Sequence, residues 1–299
     1  MNFNTWGCRM RTCTVRLLAL FLGFMWLPLV ALSGTRDPNT PDADYVEFGK
    51  KFPFVQRFRA DVTVTDPETG KEYASYNYGS AVVIRPNWAL TAAHVLELDN
   101  PTNPVIIKDG TTHVLSHVVV HPGWAEDNFG FSDLALCYSE KDFGLEFYPA
   151  LYTDTDEDNK AITISGYGFH GTFHSGGQTI DGKKRAGHNR IDRSERGVLI
   201  CSPSITKRMP LEFMITPGDS GGGMFIGNKL AGINSFLMAV DKKPDGTYGD
   251  ESAFTRVSLY SDWIESEIAK HMLKIHGKST LASDVTDAAA VVLPLSVAP

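Results

Sequence analysis

After residue 33 the chain has only two cysteines, Cys137 and Cys201, of the four in the whole sequence. Two cysteines allow at most one disulfide, which excludes a fold stabilised by a network of disulfides. They can pair in an oxidising compartment or remain as buried free thiols. We favour free thiols, because the two residues lie in different halves of the chain. Neither lies in a glycine-rich turn, so neither is expected to be a catalytic nucleophile.

The sequence also lacks an excess of positive charge. It has 28 basic and 35 acidic residues, and residues 1–33 contain three arginines and no acid. Without that stretch the chain has 25 basic and 35 acidic residues, which gives a net charge of −10. Nucleic acids and anionic membrane surfaces repel such a chain, so neither is an expected partner.

The one long apolar run lies at the start of the chain. Residues 1–33 combine three arginines with the run 17–32, and Ala31 and Ser33 are small residues just before Gly34. This pattern predicts a secretory signal peptide cleaved after Ser33. An uncleaved signal anchor is the alternative, because about 16 apolar residues are only a little short of a membrane span. We expect a secreted, periplasmic or extracellular protein, without stable membrane insertion once the leader is removed.

The region 52–277 consists of many short β-rich runs separated by glycine, proline, asparagine and aspartate. This pattern is typical of a β-sandwich or barrel and not of β-α-β units. The clearest runs are 59–65, 80–84, 105–107, 114–120, 161–165, 198–201, 224–226 and 229–234. The polar segment 34–51 before this region is expected to be extended.

One helix is predicted near the C-terminus, beginning at Ser261 or Asp262 and ending at Gly277. Five apolar residues at helical spacing would dock it on the second half of the β domain; they are Trp263, Ile264, Ile268, Met272 and Ile275. Residues 278–299 show no periodicity and are expected to form a tail outside the domain.

Three short motifs point to nucleophilic catalysis. Ser220 lies within Gly-Asp-Ser-Gly-Gly, His94 ends Thr-Ala-Ala-His, and Asp133 begins an apolar run in Ser-Asp-Leu-Ala-Leu. A serine hydroxyl is a poor nucleophile until an imidazole takes its proton, and a buried carboxylate can orient that imidazole. Glycines around a serine let backbone N–H groups approach the carbonyl oxygen of a substrate. The three residues therefore have the chemistry of one catalytic unit.

The order His94, Asp133, Ser220, with gaps of 39 and 87 residues, resembles the chymotrypsin/trypsin-like serine peptidase family. The resemblance implies an all-β domain, 52–277, of two packed six-stranded antiparallel barrels with the active site between them. It implies an endopeptidase that works through an acyl-enzyme intermediate, with Ser220 as nucleophile, His94 as general base and Asp133 as orienting acid. The backbone N–H groups of Gly218 and Ser220 would form the oxyanion hole. No cofactor and no metal are expected, and the partner is a protein or peptide substrate bound by a monomer.

Alternatives exist for the acid and for the function. Asp127, Asp109 and the acidic run 154–158 could supply a carboxylate, but their surroundings resemble the family motif less closely than those of Asp133 do. A catalytically silent binding protein of the same fold, or an esterase-like hydrolase with the same triad, are the competing functions.

The substrate pocket is predicted from the same resemblance. Ser235, Phe236 and Leu237 correspond to the strand that binds the substrate backbone, and Leu237 would partly fill the pocket entrance. Met214 lies six residues before Ser220, where trypsin-like members have an acid for recognising arginine or lysine. An apolar residue there predicts a small or medium-sized apolar residue before the cleaved bond.

The chain departs from the family in its activation signal. In the family, the acid beside the nucleophile (here Asp219) pairs with an amine freed by cleavage before an Ile-Val-Gly-Gly-like start. No arginine or lysine precedes such a start between Gly34 and Phe54. Asp219 is therefore expected to be held by hydrogen bonds or a local side chain, in a chain that is competent once its leader is removed.

Overall fold

A computed structural model describes residues 34–97, 100–125, 131–206 and 208–288, with side chains described as far as residue 275. The predicted leader, Asp127 and the residues after 288 lie outside the described residues. The all-β class and the C-terminal helix are confirmed. No helix in the described part is both long enough and apolar enough to cross a membrane.

The segment 34–51 was predicted to be extended, but part of it is helical. Strand β1 spans Thr35–Arg36, and helix α1 spans Asp42–Gly49. The helix begins directly after Pro41 and has two acids, Asp42 and Asp44, in its first turn. Acids at this end are favourable because the N-terminus of a helix carries partial positive charge. The polar residues that suggested an extended segment therefore include the first turn of a helix.

Helix α1 is held in place by one ion-pair network and one buried ring. Arg185, which is completely buried, donates to both carboxylate oxygens of Asp42, at 2.8 and 2.7 Å. It also donates to both oxygens of Asp181. Tyr45 is fully buried, and its hydroxyl donates to the carbonyl of Glu212. These contacts join the N-terminal segment to the second half of the chain.

The first half of the domain forms one antiparallel sheet of seven strands. They are β2 (Val55–Thr65), β3 (Glu72–Arg85), β4 (Trp88–Thr91), β5 (Thr102–Lys108), β6 (Thr111–Val114), β7 (His117–Val120) and β8 (Ala135–Tyr138). Their spatial order is β6-β5-β2-β3-β4-β8-β7. A short helix, α2 (His94–Glu97), follows β4.

The second half contributes eleven further strands. They are β9 (Ala150–Leu151), β10 (Ala161–Gly166), β11 (His170–Thr172), β12 (Gly176–Thr179), β13 (Arg185–Arg190), β14 (Arg193–Glu195), β15 (Val198–Cys201), β16 (Phe213–Met214), β17 (Gly223–Ile226), β18 (Lys229–Met238) and β19 (Glu251–Arg256). An eight-stranded sheet has the order β13-β10-β17-β18-β19-β15-β14, with β9 paired to β18. A four-stranded sheet has the order β12-β11-β1-β16.

The observed strands match the predicted runs, with two differences. The run 114–120 is divided, because β6 ends at Val114 and β7 begins at His117. The two large sheets contain seven and eight described strands instead of six each. Short edge strands account for part of the excess, since β9 pairs with only two residues of β18.

The C-terminal helix α3 spans Ser261–Ala288. Its docking on the second half of the domain was predicted and is wrong: the ring of His271 contacts those of Trp88, His117 and Tyr138 in the first sheet. Glu265 also pairs with Arg85 of β3. Helical periodicity identifies the apolar face of a helix but does not say which sheet that face meets.

The predicted end of this helix at Gly277 is also wrong, because the helix continues to Ala288. One glycine inside a helix costs only about 1 kcal/mol relative to alanine. Residues 278–299 were expected to be a tail, and the first part of that stretch is helical.

The two cysteines of the domain are free and buried, as favoured from the sequence. Burial raises the pKa of the Cys137 thiol to about 12 and that of Cys201 well above its ordinary value. Both are therefore neutral thiols near pH 7, and neither is a reactive thiolate.

Candidate active site

The pairing of β4 with β8 brings His94 and Asp133 together. Thr91 at the end of β4 lies opposite Ala135 at the start of β8. Nδ1 of His94 is 2.8 Å from Oδ2 of Asp133, and the backbone N–H of His94 donates to Oδ1 at 2.9 Å. Two residues that are 39 positions apart in sequence are thus joined by two hydrogen bonds.

The Asp133 carboxylate is buried, with 2% of its side chain exposed. Its Oδ2 also accepts a hydrogen bond from Ser235 Oγ, and its backbone carbonyl accepts one from Thr255 Oγ1. Burial by itself raises the pKa of Asp133, but the His94 ring and the hydrogen bonds outweigh burial, so the pKa is lowered. An ionised carboxylate favours the His94 tautomer with its proton on Nδ1. Nε2 of that tautomer can accept a proton.

Ser220 lies in a tight turn against the first sheet. Its carbonyl oxygen accepts a hydrogen bond from the N–H of Ser80 at 2.8 Å. The next residue, Gly221, has a φ of 83°, and a Cβ there would lie 2.1 Å from both the Ser80 carbonyl oxygen and Thr91 Oγ1. Only glycine fits this close approach. The turn therefore holds Ser220 beside Thr91 at the end of β4, and His94 follows Thr91 by three residues.

Ser220 is half-buried, and 22% of the His94 side chain is exposed, so both are accessible from solvent. Among the described residues, no hydrogen bond joins the Ser220 hydroxyl to the His94 ring. Such bonds are often long without substrate and shorten in the reacting complex.

The peptide group between Pro217 and Gly218 has a fixed orientation. The carbonyl oxygen of Pro217 accepts a hydrogen bond from the N–H of Phe169 at 3.2 Å. Because the described peptide bonds are trans, the N–H of Gly218 points in the opposite direction, away from Phe169. Gly218 has a φ of 87°, and its own carbonyl accepts a hydrogen bond from Ser80 Oγ.

The peptide group between Asp219 and Ser220 is fixed in the same way. The carbonyl oxygen of Asp219 accepts hydrogen bonds from the N–H of Gly222 at 2.8 Å and from Nδ2 of Asn234 at 3.1 Å. The N–H of Ser220 therefore points away from these two donors. With both carbonyls engaged, the N–H groups of Gly218 and Ser220 are the donors that this loop can offer to an oxyanion.

The side chain of Asp219 is completely buried beneath the loop. Oδ1 accepts from the N–H of Gly168 at 2.9 Å, and Oδ2 from the N–H groups of Thr216 at 3.0 Å and Gly34 at 2.6 Å. Burial raises the pKa of Asp219 to about 7, and these hydrogen bonds oppose the rise. The prediction that hydrogen bonds hold Asp219 is confirmed. The donor from Gly34, 185 residues away, was missed.

The predicted pocket residues have different environments. Ser235 is 4% exposed and its hydroxyl is bonded to Asp133, so its side chain is not available to a substrate. Met214 has no exposed surface and lies opposite Thr35 in the β1–β16 pair. Phe236 and Leu237 are half-buried. These two apolar side chains are the predicted pocket residues that retain exposed surface.

Curated relatives are identical to this chain at about a quarter of the aligned residues. The trypsin Tyr p 3.0101 of Tyrophagus putrescentiae is 28% identical, with 65% of this chain and 73% of that protein covered. An uncharacterized peptidase of Corynebacterium glutamicum is 26% identical, covering 69% and 70%. Human chymotrypsin-like elastase family member 1 is 26% identical, covering 66% and 83%.

Solved structures match the fold. Neuropsin, a serine protease of mouse brain, superposes with a TM-score of 0.55 over 73% of this chain and 95% of its own, at 16% identity. A mutant of human heparin binding protein superposes with a TM-score of 0.57 over 80% and 96%, at 18% identity. At these identities the likeness concerns the fold alone.

The family follows from the sequence profile described as Trypsin, which matches residues 61–264. That region covers more than half of the chain and includes His94, Asp133 and Ser220. Serine proteases of this kind are hydrolases that act on proteins. The chain belongs to the trypsin family of serine proteases.

Proposed function

We propose that the protein is an exported serine endopeptidase that cleaves peptide bonds through an acyl-enzyme intermediate, with His94, Asp133 and Ser220 as its catalytic residues. One observation supports this most strongly: the His94 ring is bonded to a buried, ionised Asp133 beside the glycine-framed turn of Ser220. A structural histidine would not need an acid with a lowered pKa and a glycine-framed serine next to it.

Acylation begins when Ser220 Oγ attacks the carbonyl carbon of the substrate peptide. Its proton moves to Nε2 of His94, and the Asp133 carboxylate stabilises the imidazolium that forms. The negative charge on the substrate oxygen is accepted by the N–H groups of Gly218 and Ser220. His94 then gives the proton to the leaving amine, the carbon–nitrogen bond breaks, and the acyl group remains on Ser220.

Deacylation repeats these steps with water as the nucleophile. His94 takes a proton from water, the hydroxide attacks the acyl carbon, and the same N–H groups stabilise the oxyanion. The bond to Ser220 Oγ then breaks, and the proton on His94 restores the hydroxyl. No cofactor or metal takes part in this sequence.

The substrate is a protein or peptide in the compartment outside the cell or in the periplasm. The leader motif in residues 1–33 supports export, and the net charge of −10 after its removal argues against nucleic acid as a partner. We expect a monomer without stable membrane insertion. Comparing turnover of a peptide with that of its ester separates a peptidase from an esterase-like hydrolase, and absence of both indicates a binding protein.

Replacing Ser220 by alanine should lower kcat/KM for peptide hydrolysis by roughly 10⁴- to 10⁶-fold, because no other group can form the acyl-enzyme. His94→Ala should be similarly severe, and the double variant should be no worse than either single one, because the residues act as a unit. Initial rates on a fluorogenic peptide provide the measurement. The exposed Ser116→Ala serves as the matched control, and near-normal activity of Ser220→Ala would refute the mechanism.

Replacing Ser235 by alanine removes a hydrogen bond to the ionised Asp133. At pH 7 the free energy of unfolding should fall by about 1.5–3 kcal/mol, as is typical for hydrogen bonds to charged groups. The difference in free energy of unfolding between Ser235→Ala and the unaltered protein should become smaller as the pH drops through the lowered pKa of Asp133. Protonation of Asp133 removes the charge that strengthens the hydrogen bond from Ser235.

Urea unfolding measures this effect, with Ser139→Ala as the control. The Ser139 hydroxyl is buried without a hydrogen-bond partner among the described residues. Its removal breaks no hydrogen bond of this hydroxyl, so the free energy of unfolding should fall much less than in Ser235→Ala. Equal effects of the two substitutions would show that the Ser235 hydroxyl does not support Asp133.

The residue before the cleaved bond should be small or medium-sized and apolar. Phe236 and Leu237 present apolar surface, and Met214 supplies no carboxylate for a basic side chain. Digestion of a mixed peptide library, with the cut sites read by mass spectrometry, measures the preference. A dominant preference for arginine or lysine would overturn the assignment of Met214 and Leu237.

A further inference from the structure

Ser80, a residue of β3, is bonded to both residues whose N–H groups are offered to an oxyanion. It has no exposed surface. Its backbone N–H donates to the carbonyl of Ser220 at 2.8 Å, and its hydroxyl donates to the carbonyl of Gly218 at 3.2 Å. The N–H contact is present whatever the side chain, whereas the contact with Gly218 depends on the serine hydroxyl.

The Ser80 hydroxyl has fixed hydrogen-bonding roles. Its oxygen accepts from the backbone N–H of Tyr167 at 3.0 Å, and an N–H group can only donate. The carbonyl of Gly218 can only accept, so the one hydroxyl proton must point toward it. The hydroxyl thus relays a hydrogen bond from Tyr167 to Gly218. Alanine at position 80 could fill neither role.

This relay completes a set of three contacts around Gly218. The segment 167–169 offers three successive backbone N–H groups, one from each residue, to three acceptors. The acceptors are Ser80 Oγ, Asp219 Oδ1 and the carbonyl oxygen of Pro217. Two of them belong to the residues on either side of Gly218 in sequence. The third contact reaches Gly218 itself, and it does so only through the Ser80 hydroxyl.

Gly218 needs this contact because nothing in its own structure restricts it. It has no side chain, and its φ of 87° lies in a region that glycine enters freely. It is buried, and a buried carbonyl that loses its donor is costly. Without the Ser80 hydroxyl, the carbonyl should rotate toward another donor. That rotation changes the backbone angles of Gly218 and, with them, the direction of its N–H.

We propose that Ser80 is a positioning residue of the oxyanion hole, whose hydroxyl holds the Gly218 carbonyl so that the N–H of Gly218 points at the substrate oxygen. Ser80 touches no reacting atom, and its effect on catalysis rests on the proposed function. The oxyanion exists only once the substrate carbonyl has been attacked. Loss of the hydroxyl should therefore weaken binding of the transition state more than binding of the substrate.

The substitution Ser80→Ala should lower kcat for a fluorogenic peptide by about 10- to 100-fold and change KM less than about threefold. The loss is smaller than for deletion of an oxyanion donor, because the N–H of Gly218 remains and is only misdirected. The matched control is Ser165→Ala. Ser165 is equally buried, and its hydroxyl donates to the carbonyl of Arg185 at 3.0 Å. This control should keep kcat within about twofold of the unaltered protein.

The substitution Ser80→Cys separates the hydrogen bonds from the volume of the side chain. Cysteine has a similar shape, but its thiol is a weak donor and a weak acceptor. The variant should fold and still have a kcat below that of the unaltered protein. It takes the place of Ser80→Ala in every measurement if the alanine variant does not fold. An unaltered kcat in Ser80→Cys would show that Ser80 only fills space and would overturn the proposal.

A pair of inhibitors tests the oxyanion hole directly. Ser220 Oγ adds to the carbon of a peptide aldehyde, its proton passes to His94, and the carbonyl oxygen becomes the oxyanion of a covalent adduct. The corresponding peptide alcohol has no carbonyl and reports binding of the peptide alone. The inhibition constant of the aldehyde should rise by about 10-fold or more in the Ser80 variants, with that of the alcohol changed less than about threefold. Equal changes for both inhibitors would contradict the proposed role.

Amide hydrogen exchange tests the relay without catalysis. The N–H of Tyr167 should exchange at least about 10-fold faster in Ser80→Ala than in the unaltered protein, and at the unaltered rate in Ser165→Ala. An unchanged rate in Ser80→Ala would overturn the proposal. If the unaltered protein hydrolyses nothing but exchange at Tyr167 depends on Ser80, the relay is supported and the proposed peptidase function is overturned. If Ser80→Ala hydrolyses peptides with unchanged kcat, the function stands and the role of Ser80 is overturned.

Discussion

The candidate active site depends on the buried carboxylate of Asp219. Its two oxygens collect hydrogen bonds from three segments that are distant in sequence, through Gly168, Thr216 and Gly34. Its own carbonyl is engaged as well, which fixes the peptide group leading to Ser220. Because a buried carboxylate must have its donors, these segments are bound to one another. The orientation of residues 216–220 follows from that requirement.

The rest of the site is assembled across the two large sheets. His94 follows β4 and Asp133 precedes β8 of the first sheet, whereas Ser235 and Thr255, which bond to Asp133, lie on β18 and β19 of the second. In the other direction, Ser80 of the first sheet donates to the carbonyls of Gly218 and Ser220. Each half of the domain thus completes the hydrogen bonding of the other half's functional residues. Loosening either sheet should therefore disturb the positions of Asp133 and Ser220 together.

The parts of this structure that could be predicted from sequence are those encoded in short consecutive strings. The motifs around His94, Asp133 and Ser220 and the alternation of short apolar runs with turns are of this kind. Contacts between distant residues could not be predicted: Arg185 meets Asp42 over 143 residues, and Gly34 meets Asp219 over 185. The helix α3 shows the same limit, because its apolar periodicity was visible but its docking partner was not. The predicted cleavage site lies just before Gly34, but only the folded chain connects Gly34 to Asp219.

The most direct test of the account is the site of covalent labelling by a fluorophosphonate, which reacts with a serine whose proton an imidazole can take. The mature protein should acquire one phosphonyl group, and peptide mapping should locate it on Ser220. The label should be lost in His94→Ala, which retains the serine but lacks the base. Absence of label from the folded mature protein, a label on another serine, or undiminished labelling of Ser220 in His94→Ala would contradict the account.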